Sequence, residues 1–329
     1  MTNQLQSKLD LFTENILVIR DDFIWQEAAA KRLVALVYTL DGKKIDNSAI
    51  REAHNMIKSE VGVLSVFRGN FSIFVAAALS LANDKNQLFA DTLAVYETMK
   101  GQGFRSNDFL GITAFEIAVN AESTQFSDIA ARTMEFYKEM KANHRFLVSA
   151  NDYIFAALMA LAGLEPHDTA NKLKQLYIHL KDELSFWLAN SSILTLAQML
   201  VLGGSTDECV RNMLRLNRTL RNHKIRLDKA HTLPTLGVLT MLNVDHSQLV
   251  DDIETAVDFL RKQKGLGVLS VTTQEILLHI TALITYANAG DNALSKAAAI
   301  SGTTNLLIAQ QVAIISSIAA TSAIAASSS

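Results

Sequence analysis

Residues capable of chemistry are thinly spread along this chain. The eight histidines, at 54, 144, 167, 179, 223, 231, 246 and 279, include no pair at i, i+4 with a glutamate between, the spacing by which a zinc-protease helix holds its metal. His167 and His179 stand 12 residues apart, too far along one helix to share an ion. Cys209 is the single cysteine, which excludes an internal disulfide and any multi-cysteine metal site. Arg211 and a nearby helix start would favour its thiolate, yet no base is identifiable, and a buried structural thiol is the simpler reading. Carboxylate pairs occur at Asp21-Asp22 and Asp251-Asp252. The second pair lies in DDIET, where the further acid needed by the aspartate-rich metal sequence of helical isoprenoid enzymes is Thr255. Adjacent acids early in a helix instead complement its dipole. Nucleophile elbows, Walker-type loops and dinucleotide glycine loops are absent. The sequence names no catalytic residue and predicts neither a metal nor a cofactor.

Positive charge gives the stronger signal. Residues 209–227 (CVRNMLRLNRTLRNHKIRL) hold Arg211, Arg215, Arg218, Arg221, Lys224 and Arg226 with no acid among them. Arg211, Arg215 and Arg218 fall at i, i+4 and i+7, one stripe of a helix, and an acidic peptide or anionic surface would suit them. Against this stands a solvated outer face, or pairing with Glu254 and Asp258 of an adjacent hairpin. A second set, Arg68, Asn70, Arg105 and Asn107, occupies equivalent places at the starts of successive helices. Polar side chains and free helix N-termini there could bind an anion or a carboxylate, although capping explains the same residues without a ligand. A net charge of −3 and a pI near 6.2 give no general attraction for nucleic acid.

The elements that must position these residues repeat. Met99, Met140, Leu180, Leu220 and Leu260 end successive amphipathic stretches about 40 residues apart, and Tyr96, Tyr137, Tyr177, Asn217 and Val257 stand three residues before each. A fixed period of this size marks stacked helical hairpins. With 49% hydrophobic residues, 14 glycines and 2 prolines in 329 residues, the composition favours long helices. The predicted order is a cap helix at 4–20, then hairpins from 26 to 288. First helices begin near Phe71, Asn107, Asn151, Ser191, Thr232 and Thr272 and are apolar nearly all round. Second helices, at 87–101, 125–142, 167–182, 206–223 and 247–263, mix charge with apolar residues and should face solvent. Asn47 is placed to cap the second helix of the first pair, and the three tyrosines should seal interfaces between hairpins. The pentapeptide GVLSV occurs at 62–66 and again at 267–271, both times as a link from a second helix into the next first helix. The fold class is therefore all-α, helical-hairpin repeats forming an α/α solenoid, with a closed α/α toroid as the alternative.

Residues 1–290 read as a single helical-repeat domain and 291–329 as an uncharged tail. Residues 306–326 (LLIAQQVAIISSIAATSAIAA) are about long enough to cross a bilayer, but Gln310, Gln311 and several hydroxyls oppose this and no basic anchor follows. A packed terminal helix or a disordered end is the competing account. The N-terminus lacks a basic-then-apolar signal pattern, so a cytoplasmic location is expected.

The FRGNF and GFRSNDFL links, together with the Ala/Ser-rich tail, resemble an uncharacterised family of Bacillus-type bacteria catalogued as a domain of unknown function. The resemblance spans nearly the whole chain and implies a cytoplasmic bacterial protein, with no activity, cofactor or site to carry over. Three functions compete: a non-enzymatic scaffold binding a protein or peptide partner, a closed-ring enzyme or small-molecule binder with a central pocket, and a membrane-peripheral adaptor docked by its tail.

Overall fold

A computed structural model describes residues 2–69, 71–184, 190–204, 207–229, 232–242 and 244–288. Fourteen α-helices run through the described residues, with three short 3-10 turns and no strand. In chain order they are α1 (Asn3–Arg20), α2 (Ala28–Leu40), α3 (Asn47–Glu60), α4 (Ser72–Leu81), α5 (Lys85–Gly101), α6 (Asp108–Asn120) and α7 (Phe126–Asn143). There follow α8 (Tyr153–Leu161), α9 (Pro166–Glu183), α10 (Asn190–Leu202), α11 (Asp207–Asn222), α12 (Leu233–Thr240), α13 (His246–Arg261) and α14 (Thr273–Asn288). The predicted bounds agree with these to within about two residues. The tail at 291–329, including the 306–326 stretch, lies outside the described residues.

Two kinds of helix alternate, as the apolar pattern requires. The even-numbered helices from α2 to α14 are buried along most of their length, and α8 has every residue from Tyr153 to Ala160 buried. Of the odd-numbered helices, α11 buries only Val210, Met213, Leu216, Asn217 and Leu220, a single stripe. The periodic positions Ile57, Met99, Met140, Leu180, Leu220 and Leu260 are all fully buried, each stabilising the packed state by roughly 1.5–3 kcal/mol. The period is thus the spacing of core anchors.

By their internal contacts the described residues fall into two compact units. The first holds those within 11–138 and 149–163. There α2 lies against α4, α6 against α8, α3 against α4 and α5 against α6, and Phe74 of α4 meets Phe115 of α6 edge-on at 6.1 Å. The second holds those within 2–10, 139–148 and 164–288. There α9 lies against α10, α10 against α12, α11 against α12 and α13, and α12 and α13 against α14. Within the same unit the Lys8 ammonium of α1 sits 4.2 Å from the ring centroid of Tyr286 in α14. In both units an outer helix packs closely on the inner helix that follows it, across the longer link.

Local signals account for the boundaries. Asp46, and not Asn47, is the N-cap of α3, its carboxylate accepting from the Ser48 amide at 2.9 Å and the Ala49 amide at 3.0 Å. Asn47 becomes the first helical residue, one position further in than its type suggested. Pro166 opens α9, where its missing N–H costs nothing. Gly163 and Gly204 take left-handed φ values of 68° and 72° just after α8 and α10, a conformation that glycine alone adopts without cost.

Candidate functional site

The α11 cluster divides in two. At its C-terminal end, Asp228 takes both branches of the Arg226 guanidinium, at 2.7 and 3.0 Å, and Arg221 stands 3.5 Å away. Burial would raise the Asp228 carboxyl, but the Arg226 hydrogen bonds and the two guanidinium charges outweigh it and hold its pKa below the usual carboxylate range. His223 pairs with Glu254 at 3.2 Å, so the acid expected to quench the stripe is engaged elsewhere. What remains is Lys224, exposed just past α11, and the N-terminal half. Arg211, Arg215 and Arg218 are all exposed, because Val210, Met213, Leu216 and Leu220 turn the opposite face of the amphipathic helix into the core. Among the described residues no carboxylate pairs with any of the three. Arg215 reaches only Asn212 of its own helix, at 3.4 Å.

The link residues are placed differently. Arg68 ends the 3-10 turn Val66–Arg68 and donates to the Lys58 carbonyl at the end of α3, closing the link on itself. Asn107 is the N-cap of α6, accepting from the Leu110 amide at 2.9 Å. Arg105 is exposed, and its backbone amide donates to the Tyr153 hydroxyl at 3.4 Å. Asn70 lies outside the described residues. Beside this link is a group whose type suggests no more than a polar helix start. Asp108 opens α6 half-buried, and burial alone raises its carboxyl pKa. Its carboxylate also lies close to Gly69, 3.4 Å from where a side chain there would begin.

The recurrent tyrosines serve packing. Tyr96 meets Phe67 edge-on at 5.3 Å, and its hydroxyl lies 2.6 Å from Ser106 Oγ. Tyr137 meets Phe104 at 6.2 Å and Tyr153 at 4.9 Å, and Tyr177 meets His144 at 4.8 Å. Each thus rests on an aromatic ring from the link or helix end one repeat earlier, a partner invisible to a period count on the tyrosines alone.

The candidates for catalysis or metal binding are dispersed. Burial pushes the Cys209 thiol up, away from thiolate. Asp252 is buried and accepts from Gln248 at 2.9 Å, while Asp251 is exposed. Among the described residues no group of three His, Cys, Asp or Glu side chains could hold a metal ion, and no helix is long and apolar enough to cross a membrane.

The described residues therefore define an all-α protein of paired helices recurring about every 40 residues, carrying an unpaired arginine stripe on one outer helix. A family model described as a protein of unknown function (DUF4003) matches residues 17–313, and the chain belongs to that family. An uncharacterised protein of Bacillus subtilis (strain 168), YeaA, is 24% identical over 134 residues, a stretch covering 40% of this chain and 41% of that protein. No solved structure matches the chain significantly.

Proposed function

We propose that the protein is a non-enzymatic scaffold of the α/α-solenoid class that holds an acidic segment of a protein partner on the outer face of α11. The observation that carries this is the state of Arg211, Arg215 and Arg218: one helical face, three exposed cations, and no paired acid among the described residues. Guanidinium groups at this spacing offer forked donors to successive carboxylates of an extended peptide. Exposed pairs contribute about 0.2–1 kcal/mol each, so three together supply about tenfold in affinity and a strong dependence on salt. Fluorescence anisotropy with a labelled oligoglutamate peptide tests it. Binding should weaken as salt rises and fall about tenfold when all three arginines become alanine, with the melting temperature unchanged. Equal binding by parent and triple variant would sink the proposal.

One observation favours the second reading, a closed α/α arrangement binding a small molecule. The Lys8–Tyr286 contact brings the first described helix and the last together within one compact unit. Native mass spectrometry of protein purified from its own cells separates the two: a bound metabolite that survives loss of the arginine stripe supports this alternative.

A further inference from the structure

The repeated pentapeptide does more than connect helices. Gly62–Val66 links α3 to α4 and Gly267–Val271 links α13 to α14, and both copies close the same turn. Ser65 N donates to Gly62 O at 3.0 Å, and Ser270 N to Gly267 O at 2.9 Å. Closure between the first and fourth residues puts valine and leucine at the two central positions. Their side chains stand in solvent: Leu64 is 99% and Leu269 104% exposed, with Val63 at 79% and Val268 at 77%. Neighbours on the same links do the reverse, since Phe67, Leu266 and Val271 are buried. A link needing only to turn would carry polar residues at its tip. Here, in each unit, it carries a bare aliphatic pair.

We propose that each Val-Leu tip, taken in its own unit and in the first with Trp25 beside it, is an anchor that enters the interfacial region of a bilayer containing anionic lipid. Three features select lipid. A tip that stops at headgroup depth leaves its own amides and carbonyls to water and headgroups, while the base of the second turn is bonded within the protein. The Arg261 guanidinium donates to Leu266 O at 3.1 Å, Val271 O at 2.7 Å and Thr273 Oγ1 at 3.1 Å, while Gly267 O accepts the amides of Ser270 and Val271. Charge is complementary as well: residues 259–274 contain Arg261, Lys262 and Lys264 and no acid, and both lysines are exposed, as suits a segment lying on an anionic leaflet. Around the first copy Lys58 and Arg68 outnumber Glu60. Finally, in the unit holding the first copy, the link from α1 to α2 exposes Ile24 and Trp25. Trp25 stacks on His54, whose ring lies 3.5 Å from the Ser72 hydroxyl at the start of α4, so this link lies beside the end of the 61–71 link. Trp25 is fixed there by Phe23, edge-on at 5.7 Å, and by stacking on His54 at 6.4 Å. A ring with an apolar body and a polar N–H belongs at headgroup depth.

The test uses the full chain and flotation with vesicles of phosphatidylcholine plus phosphatidylglycerol, against phosphatidylcholine alone. The parent should float with the anionic vesicles. A variant carrying Val63→Ser, Leu64→Ser, Val268→Ser and Leu269→Ser should partition about tenfold less or weaker still at unchanged melting temperature. In a Trp187→Phe background, Trp25 becomes the single tryptophan, and its emission should move to the blue on binding. The proposal is overturned if the parent does not bind anionic vesicles, if the quadruple variant binds like the parent, or if bound protein shows unshifted Trp25 emission. It is also overturned if the four substitutions abolish self-association in sedimentation and leave lipid binding untouched, which would make a second copy of the chain the occupant. The arginine stripe is unaltered in every variant, so the acidic-peptide reading stands or falls separately.

Discussion

Replacing Phe67 by alanine tests how a single link is divided between core and tip. Phe67 lies three residues beyond Leu64, on the 3-10 turn that follows the exposed pair. Its ring is fully buried and meets Phe71 at 5.8 Å, Phe89 at 5.6 Å and Tyr96 at 5.3 Å, all edge-on. It therefore joins its own link to α5 and to the start of α4. Truncating a buried phenylalanine costs about 3–5 kcal/mol, because a cavity remains that rings held by several neighbours cannot collapse to fill. Against a typical total of about 5–15 kcal/mol, that loss is large. It corresponds to a fall in melting temperature of roughly 10 °C for a chain of two such units. Leu64→Ser on the same link should change stability by less than about 0.5 kcal/mol, since the leucine touches solvent alone. Urea unfolding followed by far-ultraviolet circular dichroism reads both variants. If Phe67→Ala lies within about 1 kcal/mol of the parent, or if Leu64→Ser is equally damaging, the division into anchor and tip is wrong.

Three further outcomes follow from the same packing. Gly111→Ala should destabilise by about 1–3 kcal/mol despite alanine's better helix propensity, because its Cβ would fall 2.6 Å from Phe71 Cζ and 3.2 Å from Val66 Cγ2; adding Phe71→Leu should recover part of the loss in thermal melts. His54 has its pKa lowered by burial and then by Lys58, so the folded state refuses a proton that the unfolded chain accepts below pH ~6.5. Stability should therefore be full above that pH and decline as pH falls through it, and His54→Gln should flatten the melting-temperature profile between pH ~7.5 and ~5.5. For Asp108 the sign is opposite: burial raises its carboxyl, so its contribution is best below pH ~3.9 and is lost as pH rises. Asp108→Asn should raise the melting temperature at neutral pH and leave it unchanged near pH 3, and a lower value at neutral pH would contradict this.

What the sequence makes legible here is what has a period. Met99, Met140, Leu180, Leu220 and Leu260 recur because each repeat places one anchor at the same depth, and all five are fully buried. The alternation of wholly apolar and striped helices follows from which layer each occupies, and so the helix bounds came within about two residues. Features decided by a single neighbour were not legible. Whether Asp46 or Asn47 caps α3 depends on one backbone dihedral, and Asp46 holds the extended conformation a cap needs. Whether a run of basic residues is quenched depends on acids just beyond it. Asp228 stands two positions past Arg226 and claims Arg226 and Arg221, while Glu254 goes to His223.

The pentapeptide joins the two cases. Its recurrence on the period identifies it as part of the repeat, yet GVLSV as a string reads equally well as core or as surface. The Gly–Ser hydrogen bond that closes each copy into a turn accompanies a valine and leucine that face outward, while Phe67 beyond the first copy and Leu266 and Val271 around the second turn inward. A repeat that conserves only its core would vary at such a tip. Two copies with the same exposed pair imply a requirement that burial does not explain, and an aliphatic pair held at the tip of a closed turn is suited to the interfacial region of a bilayer. The arginine face of α11 belongs to the same category, being exposed and, among the described residues, without a paired acid, where Arg221 and Arg226 share Asp228. A scaffold that holds an acidic partner on one surface and meets lipid at its link tips would bring that partner to a membrane, and neither task needs a catalytic residue.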